Sequence, residues 1–108
     1  MSNIGIVIPA YNEEKNIIKL IREIRKYINC YIVIVDDSEH NSTEKVILKN
    51  NIYKLRYYRR NKKLGRGSAV IYGLKKLFER KNIKYFIEMD SDFSHKPNEL
   101  KRNLKILV

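Results

Sequence analysis

The sequence predicts an α/β fold, a mainly parallel sheet between helical layers, on three observations. Short β-branched runs and amphipathic segments alternate four times along 108 residues, and only a few residues connect them. Most of the strand-like runs are apolar without strict alternation, as expected of strands covered on both faces by helices. The length supports one hydrophobic core and is too short for two, so a single domain is expected.

The first strand is NIGIVIP, Asn3 to Pro9, a β-branched run ended by proline. The segment after it, YNEEKNIIKLIREIRKYI, sets Ile17, Leu20, Ile21, Ile24 and Ile28 at helical spacing. Asn12 is its expected N-cap, with Glu13 and Glu14 near the positive end of the helix dipole. YIVIVDD, Tyr31 to Asp37, reads as a continuous buried strand, and Ser42 or Thr43 is expected to cap a helix carrying Val46, Ile47 and Leu48. IYKLRYY, Ile52 to Tyr58, alternates as a third strand. SAVIYGLKKLF, Ser68 to Phe78, places Val70, Ile71, Leu74, Leu77 and Phe78 on one helical face. KYFIEMD, Lys84 to Asp90, is the fourth strand, and Pro97 opens a last helical stretch through Leu100, Leu104 and Leu107. That stretch ends without cap or tail, so the expectation is a domain incomplete at its C-terminus relative to a complete α/β enzyme.

Composition narrows the class. Hydrophobic residues make up 44% of the chain in short runs interrupted by charge, which fits a globular domain better than disorder or a membrane span. MSNIGIVIP has neither the basic start nor the cleavage site of a signal peptide, so a cytoplasmic location is expected. The basic turns are compatible with peripheral docking on the cytosolic, anionic face of a membrane. The single cysteine, Cys30, cannot form an internal disulfide and reads as a small residue at a helix-to-strand junction. With no CxxC and only two histidines, His40 and His95, a structural zinc site is disfavoured. The net charge of +11, from 23 Lys and Arg against 12 Asp and Glu, favours anionic partners without choosing among nucleic acid, phosphorylated ligands and acidic lipids. A chain rich in Lys, Asn and Ile also arises from AT-rich coding with no selection for binding.

In open parallel sheets ligands bind outside the carboxyl ends of the strands. The residues following the four predicted strands are Pro9-Ala-Tyr-Asn-Glu13, Asp36-Asp37, the basic cluster Arg59, Arg60, Lys62 and Lys63, and Asp90-Ser91-Asp92. Acids therefore follow strands one, two and four, and bases follow strand three, all on one edge. No GxGxxG follows the first strand, and no Walker A sequence is present, so a bound pyrophosphate needs another neutralising group. In an extended Asp-Ser-Asp segment the two carboxylates share a face and can bind Mg²⁺ or Mn²⁺, although an acidic pair at a strand end is often only a solvated loop. Asp36 and Asp37 either cap the next turn or accept hydrogen bonds from a base or ribose. Tyr11 can stack on a base or merely pack, and Glu13 can be merely a helix-start acid.

Four motifs in order, VIPAYNEEKNI, IVIVDDSEHNST, KLGRGSAVIYGLKK and FIEMDSDFSHKP, resemble the family 2 inverting glycosyltransferases of GT-A fold, a nucleotide-diphospho-sugar transferase-like architecture of three α/β/α layers. Within that family the pattern is most similar to the dolichyl-phosphate or polyprenol-phosphate mannosyltransferases and their glucosyltransferase relatives. The resemblance runs from Ile6 to about Leu100. It implies a nucleotide-sugar donor such as GDP-mannose, with Pro9, Tyr11, Glu13, Val35 and Asp37 at positions that hold the nucleoside. It implies that Asp90, Ser91 and Asp92 lie at the diphosphate, with Asp90 and Asp92 as ligands of Mg²⁺ or Mn²⁺ and Asp92 catalytic through that metal. Lys63, Gly65 and Gly67 match the KLGxG turn near the donor, where glycine permits close backbone approach. The resemblance also implies a lipid-phosphate acceptor and inversion at the transferred sugar.

The departures are specific. Where the family commonly shows DDGSxDGT, this chain reads DDSEHNST, so Ser38 replaces a glycine and Asn41 an acid. The family also continues past the DxD helix with acceptor-side strands and basic residues, beyond the end of this sequence, so donor binding is expected of these residues before transfer. Two other classes compete. A nucleic-acid-binding module explains the charge, but acids at the binding edge oppose it. A noncatalytic interaction protein on a transferase scaffold, including a homo-oligomer in which a second copy covers apolar surface, remains a rival.

Overall fold

The computed structural model describes residues 3–60, 62 and 64–90. The chain order is β1 (Ile4–Ala10), α1 (Ile17–Tyr27), β2 (Tyr31–Asp36), α2 (Ser42–Asn50), β3 (Leu55–Arg59), α3 (Arg66–Phe78) and β4 (Tyr85–Glu88). The last helical stretch expected from Pro97 lies outside the described residues.

The four strands form one sheet in the order β3-β2-β1-β4, and every pairing is parallel. Successive strands step outward from β1 to β3, and the chain then returns over the sheet in α3 to add β4 on the other side of β1. This reversal is the topological switch point of a doubly wound sheet, and it lies between β1 and β4. Alternation along the strands divides the core into two layers. Ile6, Ile8, Ile32, Ile34 and Ile87 pack with Ile17, Leu20, Ile21 and Ile24 of α1 and Ile47 of α2. Val7, Val33, Val35 and Phe86 pack with Ala69, Val70 and Leu77 of α3. The predicted three-layer α/β/α architecture is therefore the one observed. Fully burying the four large aliphatic residues of α1 contributes on the order of 6–12 kcal/mol before chain entropy is subtracted.

Three local expectations are corrected. Pro9 does not end the first strand but sits inside it, opposite Val35. Val7 accepts a hydrogen bond from the Met89 N–H of the β4 side, whereas Ala10 accepts from Asp37 of the β2 side. By alternation Pro9 turns its backbone toward β4, which has already ended, so its missing N–H costs no ladder bond. Asn12 does not cap α1, which starts five residues later after a turn in which Asn16 and Ile17 donate to the Glu13 carbonyl. Asn12 is left-handed instead, with φ 54°. Finally, Ile71 and Phe78 of α3 are exposed, as is Leu48 of α2. The inner face of α3 is built on Ala69, Val70, Gly73 and Leu77. Among the described residues no helix is long and apolar enough to cross a membrane.

Candidate functional site

The carboxyl ends of β1 and β2 are tied together by their loops. Ser38 Oγ accepts from the Asn12 N–H at 2.7 Å and donates to Asp36, and Thr43 Oγ1 accepts from the Glu13 N–H at 3.2 Å. These bonds satisfy the Asn12 and Glu13 N–H groups from the neighbouring loop, and the left-handed backbone at Asn12 keeps α1 from starting there. Tyr11 spans the same gap further out, its hydroxyl donating to Glu39 at 2.5 Å, and that bond raises the phenol's pKa. Asp36 is fully buried and accepts from the Ser38 N–H, the Ser38 hydroxyl and the Tyr57 hydroxyl of β3. Burial, reinforced by the bond to Asp36, pushes the Tyr57 phenol well above its ordinary range, so it stays a donor. Asp36 is thus the centre of a structural network, the cap-like alternative of the two the sequence leaves open.

Asp37 is held differently. Arg60 grips it in a fork, Nε to Oδ1 at 2.7 Å and Nη2 to Oδ2 at 2.6 Å, and the Leu64 N–H reaches Oδ2 at 3.3 Å. The hydrogen-bonded carboxylate holds the Arg60 guanidinium more firmly protonated. Arg60 is itself fixed by Ser68, through Nη1 to Oγ at 2.8 Å. These three bonds leave some acceptor capacity on a carboxylate, which offers about four lone-pair sites. Asp37 is therefore an oriented acceptor at the sheet edge, fixed by β3 and α3.

The third corner joins α3 to β4. Glu88 and Asp90, two residues apart, both meet Arg66, the first residue of α3: Nη1 lies 3.1 Å from Glu88 Oε2 and Nε 2.6 Å from Asp90 Oδ1. Gly65 precedes it at φ +94°, a conformation that side chains rarely adopt, and a Cβ at Gly65 or Gly67 would meet nothing within 4 Å. At Gly67, then, neither backbone conformation nor packing requires glycine. Arg59 adds a longer pairing, 4.0 Å to Glu44. Arg59 and Arg60 after the third strand thus share one edge with Glu13, Asp37 and Asp90 after the other three, as their positions in the sequence predict.

Of the residues expected at the site, Tyr11, Glu13, Asp37, Gly65 and Asp90 come to this edge with Pro9 and Val35 buried behind them, and Gly67 lies in the first turn of α3. Lys63, Ser91 and Asp92 lie outside the described residues. Sequence reasoning placed Arg60 at this edge within its basic cluster but not against Asp37, and it missed Arg66, Glu88, Thr43 and Tyr57 as site residues. Only Glu88 carried a signal of its own, its i, i+2 parity with Asp90. A cavity of about 380 Å³ bordered by Ile18, Ile21, Arg22 and Ile52 lies elsewhere, between α1 and α2.

A divalent metal can be tested against this donor set. Asp90 supplies the hard oxygen that Mg²⁺ and Mn²⁺ prefer, and the guanidinium against Asp90 and Glu88 marks this end of β4 as a place built for positive charge. Among the described residues no three His, Cys, Asp or Glu side chains cluster as a complete ligand set. The oxygen chemistry of Asp90 is of the kind that such a cation takes, and its carboxylate is paired with Arg66 in this structure.

Comparison with known proteins now decides the family. The model for Glycosyl transferase family 2 matches residues 5–107. The chain belongs to that family. This family 2 domain is 32% identical to a dolichol-phosphate mannosyltransferase of Pyrococcus furiosus, over 96% of this chain and 30% of the relative. It is 35% identical to an uncharacterized protein of Methanocaldococcus jannaschii, over 94% of this chain and 45% of that protein. A UDP-N-acetylglucosamine–dolichyl-phosphate N-acetylglucosaminyltransferase of Methanococcus voltae is 28% identical over 97% of this chain and 47% of its own length. The family 2 domain thus spans between 30% and 47% of the length of these relatives. Its fold matches S. aureus TarS solved with UDP, at a TM-score of 0.67 and 24% identity, covering 85% of this chain and 28% of that one. The expected GT-A architecture is therefore confirmed.

Proposed function

We propose that residues 1–108 form a single nucleotide-sugar-binding unit of a glycosyltransferase that moves a hexose, with mannose from GDP-mannose as the first choice, to a polyprenyl or dolichyl phosphate with inversion. The observation that carries this reading is the convergence of Tyr11, Asp37, the α3 start and Asp90 on one edge beside the switch point, in a chain of this family. Asp37, oriented by Arg60, accepts hydrogen bonds from the nucleoside, and Tyr11 covers the base. Pro9, Glu13 and Val35 form the strand ends and loop behind it. Lys63, Gly65 and Gly67 let the diphosphate approach the backbone at the start of α3, where helix N–H groups favour anions. Asp90 and Asp92, with Ser91 between them, would hold Mg²⁺ or Mn²⁺, which neutralises charge on the departing diphosphate.

The transfer step balances without a strong base. An acceptor phosphate oxygen, already anionic, forms a bond to the anomeric carbon while the bond from that carbon to the diphosphate oxygen breaks, and its electron pair leaves with the nucleoside diphosphate. Docking at the cytosolic face of a membrane would present such an acceptor, and the +11 charge supports it.

Calorimetric titration of this chain with GDP, UDP and their sugars, with and without Mn²⁺, tests the reading. Metal-dependent binding of one nucleotide series, weakened at least tenfold by Asp37→Asn, is expected. Absence of binding by every nucleotide in the presence of metal would overturn it. In the full-length enzyme Asp92→Ala should abolish transfer.

A further inference from the structure

We propose that Arg66 is an internal counter-ion that occupies Asp90 while the donor site is empty and passes to the diphosphate when nucleotide and metal bind. This rests on the reading of Asp90 as the diphosphate and metal corner, and it assigns a role to a residue that reading does not use.

Three features converge on Arg66. Glu88 and Asp90 stand on the same face of an extended segment, and two carboxylates so placed repel unless a cation lies between them. Arg66 supplies that cation with separate nitrogens, Nη1 to Glu88 and Nε to Asp90, so one contact can break while the other anchors the side chain. Glu88, the less exposed carboxylate at 14% against 27% for Asp90, is the natural anchor. The third feature is freedom to move. Arg66 is 47% exposed and sits between two glycines whose surroundings are open, at a helix start where phosphate oxygens are favourably met.

A divalent cation and a guanidinium cannot both lie against the Asp90 carboxylate without mutual repulsion, so the two compete. A diphosphate changes the balance, because it gives the released guanidinium a planar, bidentate anionic partner. Metal and nucleotide binding are then coupled through one side chain, and by linkage each tightens the other. Without nucleotide, Arg66 keeps metal off the site.

The test titrates Mn²⁺ alone, and Mn²⁺ in the presence of GDP or UDP, into the 108-residue chain and its variants, following free Mn²⁺ by electron paramagnetic resonance and nucleotide binding by calorimetry. Arg66→Gln should bind Mn²⁺ alone roughly three- to tenfold more tightly than the parent, since it loses a competitor of partly exposed ion-pair strength. It should bind the nucleotide with Mn²⁺ about tenfold more weakly, and the factor by which nucleotide tightens Mn²⁺ should shrink. Arg66→Lys, which keeps the charge, should restore the competition for Asp90 in part. Unchanged far-ultraviolet circular dichroism checks that each variant is folded. If Asp90→Asn loses Mn²⁺ while Arg66→Gln binds it no more tightly than the parent, the counter-ion role is overturned and the metal corner stands. If Asp90→Asn leaves Mn²⁺ and nucleotide binding untouched, the metal corner itself is overturned and the counter-ion role with it.

Discussion

Asp37 and Arg60 show what can be read at the scale of single residues. The acid was legible because it follows a strand in an α/β order, and strand ends face ligands. The same rule put Arg60 at this edge, but its pairing with Asp37 was not legible, because Arg60 lies 23 positions away and their meeting depends on β2 and β3 being neighbours in register. The pair is nearly buried, with side-chain exposures of 10% and 6%, so removing one member strands the other charge. Arg60→Met should cost about 3 kcal/mol in urea unfolding, and adding Asp37→Asn should recover part of that loss. Ser38 is a second case. The sequence marks it as a departure from the family's glycine, but only the structure connects it to Asn12 and Asp36. Ser38→Gly should cost about 1–2 kcal/mol, measured the same way, because the Asn12 N–H loses its acceptor while the buried Asp36 loses a donor.

At the scale of elements, periodicity located all three described helices and four strands and erred at their ends and faces. The face of α3 was misassigned because Gly73 contributes nothing to a hydrophobic pattern, yet it is the residue that lets the helix reach the sheet. A Cβ there would lie 2.1 Å from Val7 Cγ2. Gly73→Ala should therefore destabilise the chain by roughly 1–3 kcal/mol or more despite the better helix propensity of alanine, and Val7→Ala in the same chain should return part of it. Gly67 gives the opposite expectation. Its surroundings are open and its backbone unremarkable for a helix start, so Gly67→Ala should gain about 0.5–1 kcal/mol. If the glycine serves close approach of a diphosphate, the same substitution should weaken nucleotide binding, and thermal unfolding with and without nucleotide separates the two effects.

For the whole molecule, the parallel sheet sends every strand's carboxyl end to the functional edge, and the opposite edge holds Cys30, just ahead of β2. The thiol is buried, and desolvation pushes its pKa up to about 11 from an ordinary 9.0, with Arg25 pulling weakly the other way. The native state therefore favours the protonated thiol. Its contribution to stability is complete below pH 9, where both states are protonated, and is lost as pH rises from about 9 to about 11, a span equivalent to roughly 2–3 kcal/mol. Near pH 8 the native thiol is both covered and un-ionised, so alkylation has to wait for the chain to open. When opening and closing outpace modification, the alkylation rate reports the open population of the entire domain. A ligand that binds only the folded chain reduces that population by the factor one plus its concentration over its Kd. Alkylation of Cys30 followed by mass spectrometry should therefore slow about a hundredfold when nucleotide, with saturating Mn²⁺, is supplied at a hundred times its Kd. The reporter sits at the far edge of the sheet, so protection by direct cover is excluded, and slowing there requires that the site and the core open as one unit.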